Sequence, residues 1–316
     1  MSLQQCRWSG SAAPAPAPAT RPPCAAQAGR NVVVTGGTRG LGAVQADYAL
    51  HCGAAHVTIT GRRAADGGTP ADGVRTAKAL AARHGADRVS YVQSDVRSDR
   101  DARSLFDPEA RAAAGLPRAV HAASLNAGIF GAAGPERGID TLATADFEKV
   151  MATNCTGVFR GMREFTRAAA QTGAEEPSLL LIKSIYGSGG SVFSNAGYQA
   201  SKFCVDGLTK QGAVELARRG VTVNSLSPGF VKTPLTEGWW SDPQVDTIIA
   251  QAHPKGQWVD PESIGQTAAF LLHAPRSVTG VDVFVDHGSA AESIPNVRDG
   301  DTVRELTDEP CCGKAA

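Results

Sequence analysis

The chain reads as one α/β domain whose parallel sheet is covered by helices on both faces. Three observations predict it. Short, continuous apolar runs recur, each is followed by a helical pattern, and no break in composition interrupts the series from residue 29 to 290. Strands buried on both faces lose the polar alternation of a one-sided sheet, and intervening helices supply the crossovers that parallel strands need.

The first run, NVVVTGG from Asn31, reads as a strand entering a glycine turn, and GLGAVQADYALHCG as the helix after it. HVTITG is the second strand and ADGVRTAKALAARHG the second helix. RVSYVQSDV is the third strand, followed by a helix near 98–113, and AVHAASLNAG is the fourth. A long helix is expected over about 144–171, because Phe147, Val150, Met151, Val158, Met162 and Phe165 recur at three- and four-residue spacings. SLLLIKS, a helix through Tyr198 to Arg219, and GVTVNSLSPG come next. A long connection over 230–258, a helix near 261–273 and a last strand, VDVFVD, complete the series.

Residues 1–28, rich in alanine and proline, lack the apolar material to fold and are read as a disordered extension. Residues 291–316 are read as a polar, mobile tail. With 42% apolar and 20% charged residues and a formal net charge of zero, the 316-residue chain gives no electrostatic reason to expect nucleic acid or anionic lipid as a partner. No apolar run reaches the roughly 18 residues of a spanning helix, so no membrane partner is expected. Cys6, Cys24, Cys52, Cys155, Cys204, Cys311 and Cys312 show no C-x-x-C spacing, and no paired histidines occur. A metal site is therefore not expected, and the cysteines read as free thiols of a cytoplasmic protein. The acid-poor N-terminus, with Arg7, Arg21 and Arg30 before the first acid at Asp47, keeps organellar import as the alternative.

The chemistry concentrates in GYQASKF. Tyr198 and Lys202 are four residues apart, on one helical face, and an ammonium near a phenol favours the phenolate and lowers its pKa. With a serine hydroxyl to orient an oxygen, the set is a proton donor for hydride transfer to a carbonyl. Ser184, closing an apolar strand, is that serine.

Thr35-Gly36-Gly37-Thr38-Arg39-Gly40-Leu41-Gly42 sits between the first strand and first helix, where missing side chains let backbone N–H groups approach a pyrophosphate. The second strand ends in Gly61-Arg62-Arg63, with no acid to accept from a ribose hydroxyl. Guanidinium groups suit a phosphate dianion, so Arg62 and Arg63, with Arg39 opposite, point to NADP(H).

Over residues 30–290 these motifs, in this order, resemble the short-chain dehydrogenase/reductase family: TGGTRGLG, Asp95-Val96, Asn126-Ala127-Gly128, Asn154, Ser184, YQASK, and Pro228-Gly229 followed by Thr233. The resemblance implies a single doubly wound Rossmann domain with a sheet of about seven strands. It implies that Asp95, beside Val96, contacts adenine and that Asn126, Ala127 and Gly128 border the cofactor. By the same resemblance Lys202 binds the nicotinamide ribose, and Thr233, with Pro228, Gly229 and Val231, holds the carboxamide end. Asn154 supports a water in a proton relay through Lys202. Leu125 stands where the family has another asparagine. Thirteen residues separate Ser184 from Tyr198, one more than the family pattern, which leaves Ser188 and Ser191 as alternatives to Ser184. The family also implies a homodimer or homotetramer assembled through the helices at 144–171 and 197–219.

The segment 230–258 reads as a substrate lid, in which Trp239 and Trp240 form either an apolar wall or a packing anchor, and His253 reads as a solvated loop residue. The 129–140 loop forms the opposite rim, and Phe193 and Asn195 lie on the Ser184–Tyr198 connection. Three functions compete. One is an NADP(H)-dependent reductase of a medium-sized, partly apolar ketone, or the reverse oxidation of its alcohol. The second is a 3-oxoacyl-thioester reductase acting on an acyl carrier protein, which wants a basic patch. The third, a catalytically silent NADP(H)-binding sensor or scaffold, has no need of serine, tyrosine and lysine together.

Overall fold

The computed structural model describes residues 24, 27–62, 72–131, 138–191 and 194–291. Among them, β1 (Asn31–Val34), β2 (His56–Gly61), β3 (Val89–Gln93), β4 (Ala122–Leu125), β5 (Ser178–Ile182), β6 (Thr222–Pro228) and β7 (Asp282–Val285) form one sheet. Its order is β3-β2-β1-β4-β5-β6-β7 and every pairing is parallel. The period of two sends neighbouring residues to opposite faces. Val32, Val34, Leu180 and Leu226 pack under α1 (Gly40–His51), α2 (Asp72–His84) and α10 (Pro261–Leu271). Val33, Ala123, Leu179, Leu181 and Val223 pack under α3 (Asp99–Phe106), α6 (Gly157–Thr172) and α7 (Ala196–Leu216). The chain steps from β1 outward to β3, then returns to place β4 on the other side of β1. Such a reversal opens a crevice beyond the C-terminal strand ends.

Local chemistry explains where helices depart from the predicted spans. The helix expected over 98–113 is two, because Pro108 starts α4 (Pro108–Ala113) and Asp107 caps it by accepting from Glu109 and Ala110 N–H groups. The long helix expected over 144–171 is α5 (Thr144–Met151), a π-helical turn at Ala152–Thr156, and α6. Asn154 lies in that widened turn.

Two predictions about the ends and the cysteines need correction. Gln27 is fully buried; its N–H donates to Cys52 O at 2.9 Å and its side-chain amide to Ala269 O at 2.7 Å. Chain packed on the body thus begins before the predicted boundary at 28/29. Cys24 is disulfide-bonded to Cys52, and Cys155 to Cys204. These four are not free thiols, and since disulfides persist in oxidising compartments, the cysteines no longer argue for a reducing cytoplasm. Both bonds join segments that only the fold brings together, 28 and 49 residues apart. Cys6, Cys311 and Cys312 lie outside the described residues. Among the described residues no helix is long and apolar enough to cross a membrane.

Candidate active site

A crevice of about 660 Å³ opens at the switch between β1 and β4. The glycine turn forms one end. Gly36 has φ +66°, and a Cβ on it would lie 2.9 Å from Ala127 Cα, so only glycine fits both the backbone and the space. Arg39, in the N-cap position of α1, makes no side-chain cap, and the first turn carries no acid. The N–H groups opening that helix are left for an anion, which the helix dipole favours. Gly36, Thr38, Arg39, Gly40, Leu41 and Gly42 line this end. Thr35 does not line the crevice; its hydroxyl accepts from Asn126 and Ala127 N–H groups at 2.9 and 3.2 Å and so fixes the neighbouring strand end.

Arg62 is exposed at the end of β2 and lines the crevice with Arg39, while Arg63 lies outside the described residues. Asp95 is not among the lining residues; Arg97 grips its carboxylate at 2.6 Å, which with Arg62 nearby holds the carboxyl below its usual range. Ser94 and Val96 line the crevice instead. Asp72 and Gly73 of α2 and Tyr91 of β3 line it too, unforeseen from the sequence because only tertiary packing brings them to the site. Asn126, Ala127 and Gly128 form the middle wall. Gln45, buried in α1, donates from Nε2 to the Asn126 side-chain Oδ1 at 3.1 Å.

At the far end Ser184, Tyr198 and Lys202 meet. Asn195 caps α7 by accepting from Tyr198 N–H at 2.8 Å, which places the phenol in the first turn and Lys202 one turn on. The Ser184 hydroxyl lies beside the Tyr198 phenol and acts to lower its pKa, while its oxygen accepts from Tyr186 N–H at 3.2 Å. Ser188 instead accepts from Lys183 Nζ, and Ser191 does not line the crevice. Burial pushes the Tyr198 phenol up to about 12, against the lowering by Ser184. This reverses the direction expected from a neighbouring ammonium. Lys202 Nζ stands 5.4 Å from the Tyr198 ring centre and donates to Ile182 O at 2.8 Å, and burial lowers its own pKa to about 8.

Asn154 does not line the crevice. Its side chain pairs with both Ile129 N and O, at 2.9 and 2.8 Å, and donates to Ser201 Oγ, clamping the 129 loop to α7. Around the phenol stand Phe130 at 4.9 Å and Tyr186 at 6.2 Å between ring centres. Phe230 packs edge-on to Tyr186 and Trp239, which in turn meets Phe130 at 5.1 Å. Trp239, in α8 (Glu237–Trp240), is therefore wall, while Trp240 anchors by donating to Thr233 O at 3.1 Å. Beyond it the 230–258 segment continues as α9 (Pro243–Gln251). His253 is fully buried, not solvated: its Nε2 accepts from Phe230 N–H at 3.0 Å and fixes the aromatic wall. Burial lowers its pKa to about 4, which keeps it neutral for that role. Pro228, Gly229, Val231 and Thr233 close the rim. Asn195 holds Phe130 O at 2.9 Å, and Phe193 lies outside the described residues.

A family model described as Enoyl-(Acyl carrier protein) reductase matches residues 37–290, most of the chain. The protein belongs to the short-chain dehydrogenase/reductase family. It is an oxidoreductase acting on CH–OH or C=O groups. A 3-alpha-(or 20-beta)-hydroxysteroid dehydrogenase of Mycobacterium bovis is 32% identical over 83% of this chain and 90% of its own. An NADP-dependent (R)-specific alcohol dehydrogenase of Lentilactobacillus kefiri is 29% identical, over 84% and 98%. Among solved structures, a gluconate 5-dehydrogenase from Burkholderia cenocepacia in complex with NADP and tartrate superposes with a TM-score of 0.71. It is 27% identical and the match covers 84% of this chain and 96% of that one.

Proposed function

We propose that this enzyme transfers hydride between NADP(H) and a medium-sized, partly apolar ketone or the corresponding secondary alcohol. The observation that carries this reading is the ring of Phe130, Tyr186, Phe230 and Trp239 around Tyr198. Among the described lining residues, Arg39, Arg62 and Asp72 sit at the glycine-turn end, Lys183 pairs with Asp206 and Asp282, and Lys202 faces Ile182. Apart from Lys202, the described substrate end is thus left without an unpaired charge, which supports a largely apolar ketone over a sugar acid. An oxidation assay of NADPH against alicyclic ketones, gluconate-type keto acids and 3-oxoacyl thioesters tests it. Turnover restricted to the thioesters would favour the 3-oxoacyl-thioester reductase reading instead.

The cradle fits the cofactor on its own evidence: an uncapped helix start, glycines whose Cβ atoms would fill the space, and two arginines at the adenosine end. Bound NADPH supplies the hydride. Tyr198 supplies the proton to the carbonyl oxygen, Ser184 orients that oxygen, and Lys202 holds the nicotinamide ribose. Removing one charge-assisted contact costs about 1.5–3 kcal/mol, so Arg62→Ala should weaken NADPH about ten- to a hundredfold and leave NADH nearly unchanged. Direct titration of both cofactors checks it, and equal weakening would remove Arg62 from the phosphate site.

The two directions should differ in pH dependence. Raised to about 12, the phenol stays protonated through neutral pH, so the reductive direction has its acid in place. Oxidation needs the phenolate, whose fraction grows about tenfold per pH unit below that value. Oxidation should therefore climb with pH, while reduction stays level until Lys202 loses its proton near pH 8 and then declines. Paired pH–rate profiles read this, and parallel profiles would contradict it.

Assembly is proposed as a homodimer or homotetramer. Phe159, Phe203 and Val214 are exposed on α6 and α7, and Phe270 and Phe284 on α10 and β7. Scattered apolar side chains are ordinary, but two sets on paired elements fit self-association. Light scattering should return two or four times the 32.7 kDa chain mass, and a monomer would refute it.

A further inference from the structure

We propose that Lys183 is a positioning residue: through Ser188 it holds the turn carrying Ser184 and Tyr186, and so sets the floor of the substrate end. The inference rests on the ketone reading above. Lys183 directly precedes Ser184 and its side chain is only 4% exposed. Its ammonium donates to Ser188 Oγ at 3.0 Å, Asp206 Oδ1 at 3.1 Å and Asp282 Oδ2 at 2.8 Å. An ammonium has three donors, and all three are used. Asp282 also accepts from the Ser225 and Ser227 hydroxyls, and Asp206 from Lys210. A buried cation is tolerated only where its charge and hydrogen bonds are met, and here they are met by α7 and β7 together.

The stem of Lys183 runs beneath Gly187. A Cβ there would lie 2.5 Å from Lys183 Cε and 2.8 Å from Lys202 O, so the lysine is clamped between the turn and the helix that carries Lys202. The turn needs such a tie. Its internal bonds are Tyr186 N–H to Ser184 Oγ at 3.2 Å, Gly187 N–H to Ser184 O at 2.8 Å and Ser188 N–H to Ile185 O at 3.1 Å. Beyond it, Gly189 and Gly190 have nothing within 4 Å of where a Cβ would sit, so packing does not hold them. Gln199 reaches Gly189 O from α7, and Lys183 anchors the turn's exit to the sheet. The one extra residue between Ser184 and Tyr198 falls in a connection pinned at both sides. Tyr186, in the middle of the turn, faces Tyr198 and Phe230, so loosening the turn moves the wall against which the ketone is placed.

Ser188→Ala tests this at an exposed position and leaves Lys183 paired with both aspartates. Backbone amide exchange over 185–190 should quicken about tenfold. NADPH affinity should stay within about twofold, and kcat for the ketone should fall about tenfold, because small misplacements cost rate more than binding. Ser188→Thr, which restores the hydroxyl, should recover both exchange and kcat. Unchanged exchange in Ser188→Ala overturns the tie, whichever substrate the wild-type enzyme reduces. Faster exchange with wild-type kcat and KM overturns the positioning role. A wild-type enzyme that reduces no ketone fails the functional reading alone, since exchange still reports on the tie.

Discussion

Tyr198→Phe should fold, bind NADPH as the wild type does, and lose about 10²–10⁴-fold in kcat. The ring is kept, so its contacts with Phe130 and Tyr186 survive, and only the hydroxyl is deleted. At 1.36 kcal/mol per tenfold, the loss is about 3–5 kcal/mol of barrier. Raised to about 12, the phenol holds its proton through the neutral range, so the donor is in place when the hydride is transferred. Stopped-flow or steady-state NADPH oxidation gives the rate, and fluorescence titration gives the affinity. A variant within about threefold of wild-type kcat would assign the proton to another donor.

What was legible in the sequence follows the range of the interaction. Strand identity and the parallel arrangement were readable because runs such as SLLLI and TVNSLSP are buried throughout, a property of the strand itself. The glycine turn, Tyr198 and Lys202 were readable because their relation is local, one turn or one helical step. The break at Pro108 was readable in principle from Asp107-Pro108, a cap followed by a residue suited to N1. Other features depend on partners far along the chain. His253 resembles any loop histidine until Phe230, 23 residues away, is seen to donate to it. Lys183 looks like an interruption at the end of an apolar strand until Asp206 and Asp282 close around it. Cys155 and Cys204 obey no spacing rule, and they meet because the π-helical turn of the long helix lies against α7. The direction of the Tyr198 shift was missed for the same reason. Proximity in sequence predicts the ammonium, whereas burial by Phe130, Tyr186 and their neighbours is a property of the folded site.

The other large effect is expected where a single methyl group closes the cofactor cradle. In Gly42→Ala the added Cβ would sit 2.4 Å from Gly36 O and 2.5 Å from Asn126 Nδ2. Neither neighbour can yield freely. Gly36 is fixed by its turn at φ +66°, and Asn126 is held by Thr35 O at 2.9 Å and by Gln45 at 3.1 Å. The clash must therefore push α1 away from the turn, or break the Asn126 contacts and shift the middle wall. Overpacking of this kind costs about 1–3 kcal/mol of stability. If the same displacement opposes the bound state, NADPH affinity falls by up to about a hundredfold. Gly207→Ala is the matched control: it lies in α7, nothing stands within 4 Å of its Cβ position, and alanine is the better helix former by about 1 kcal/mol. Thermal unfolding should move down in the first variant and level or up in the second, with NADPH affinity lost only in the first. Wild-type NADPH affinity in Gly42→Ala would mean that the glycine turn is a structural corner and that the cofactor is held elsewhere in the crevice.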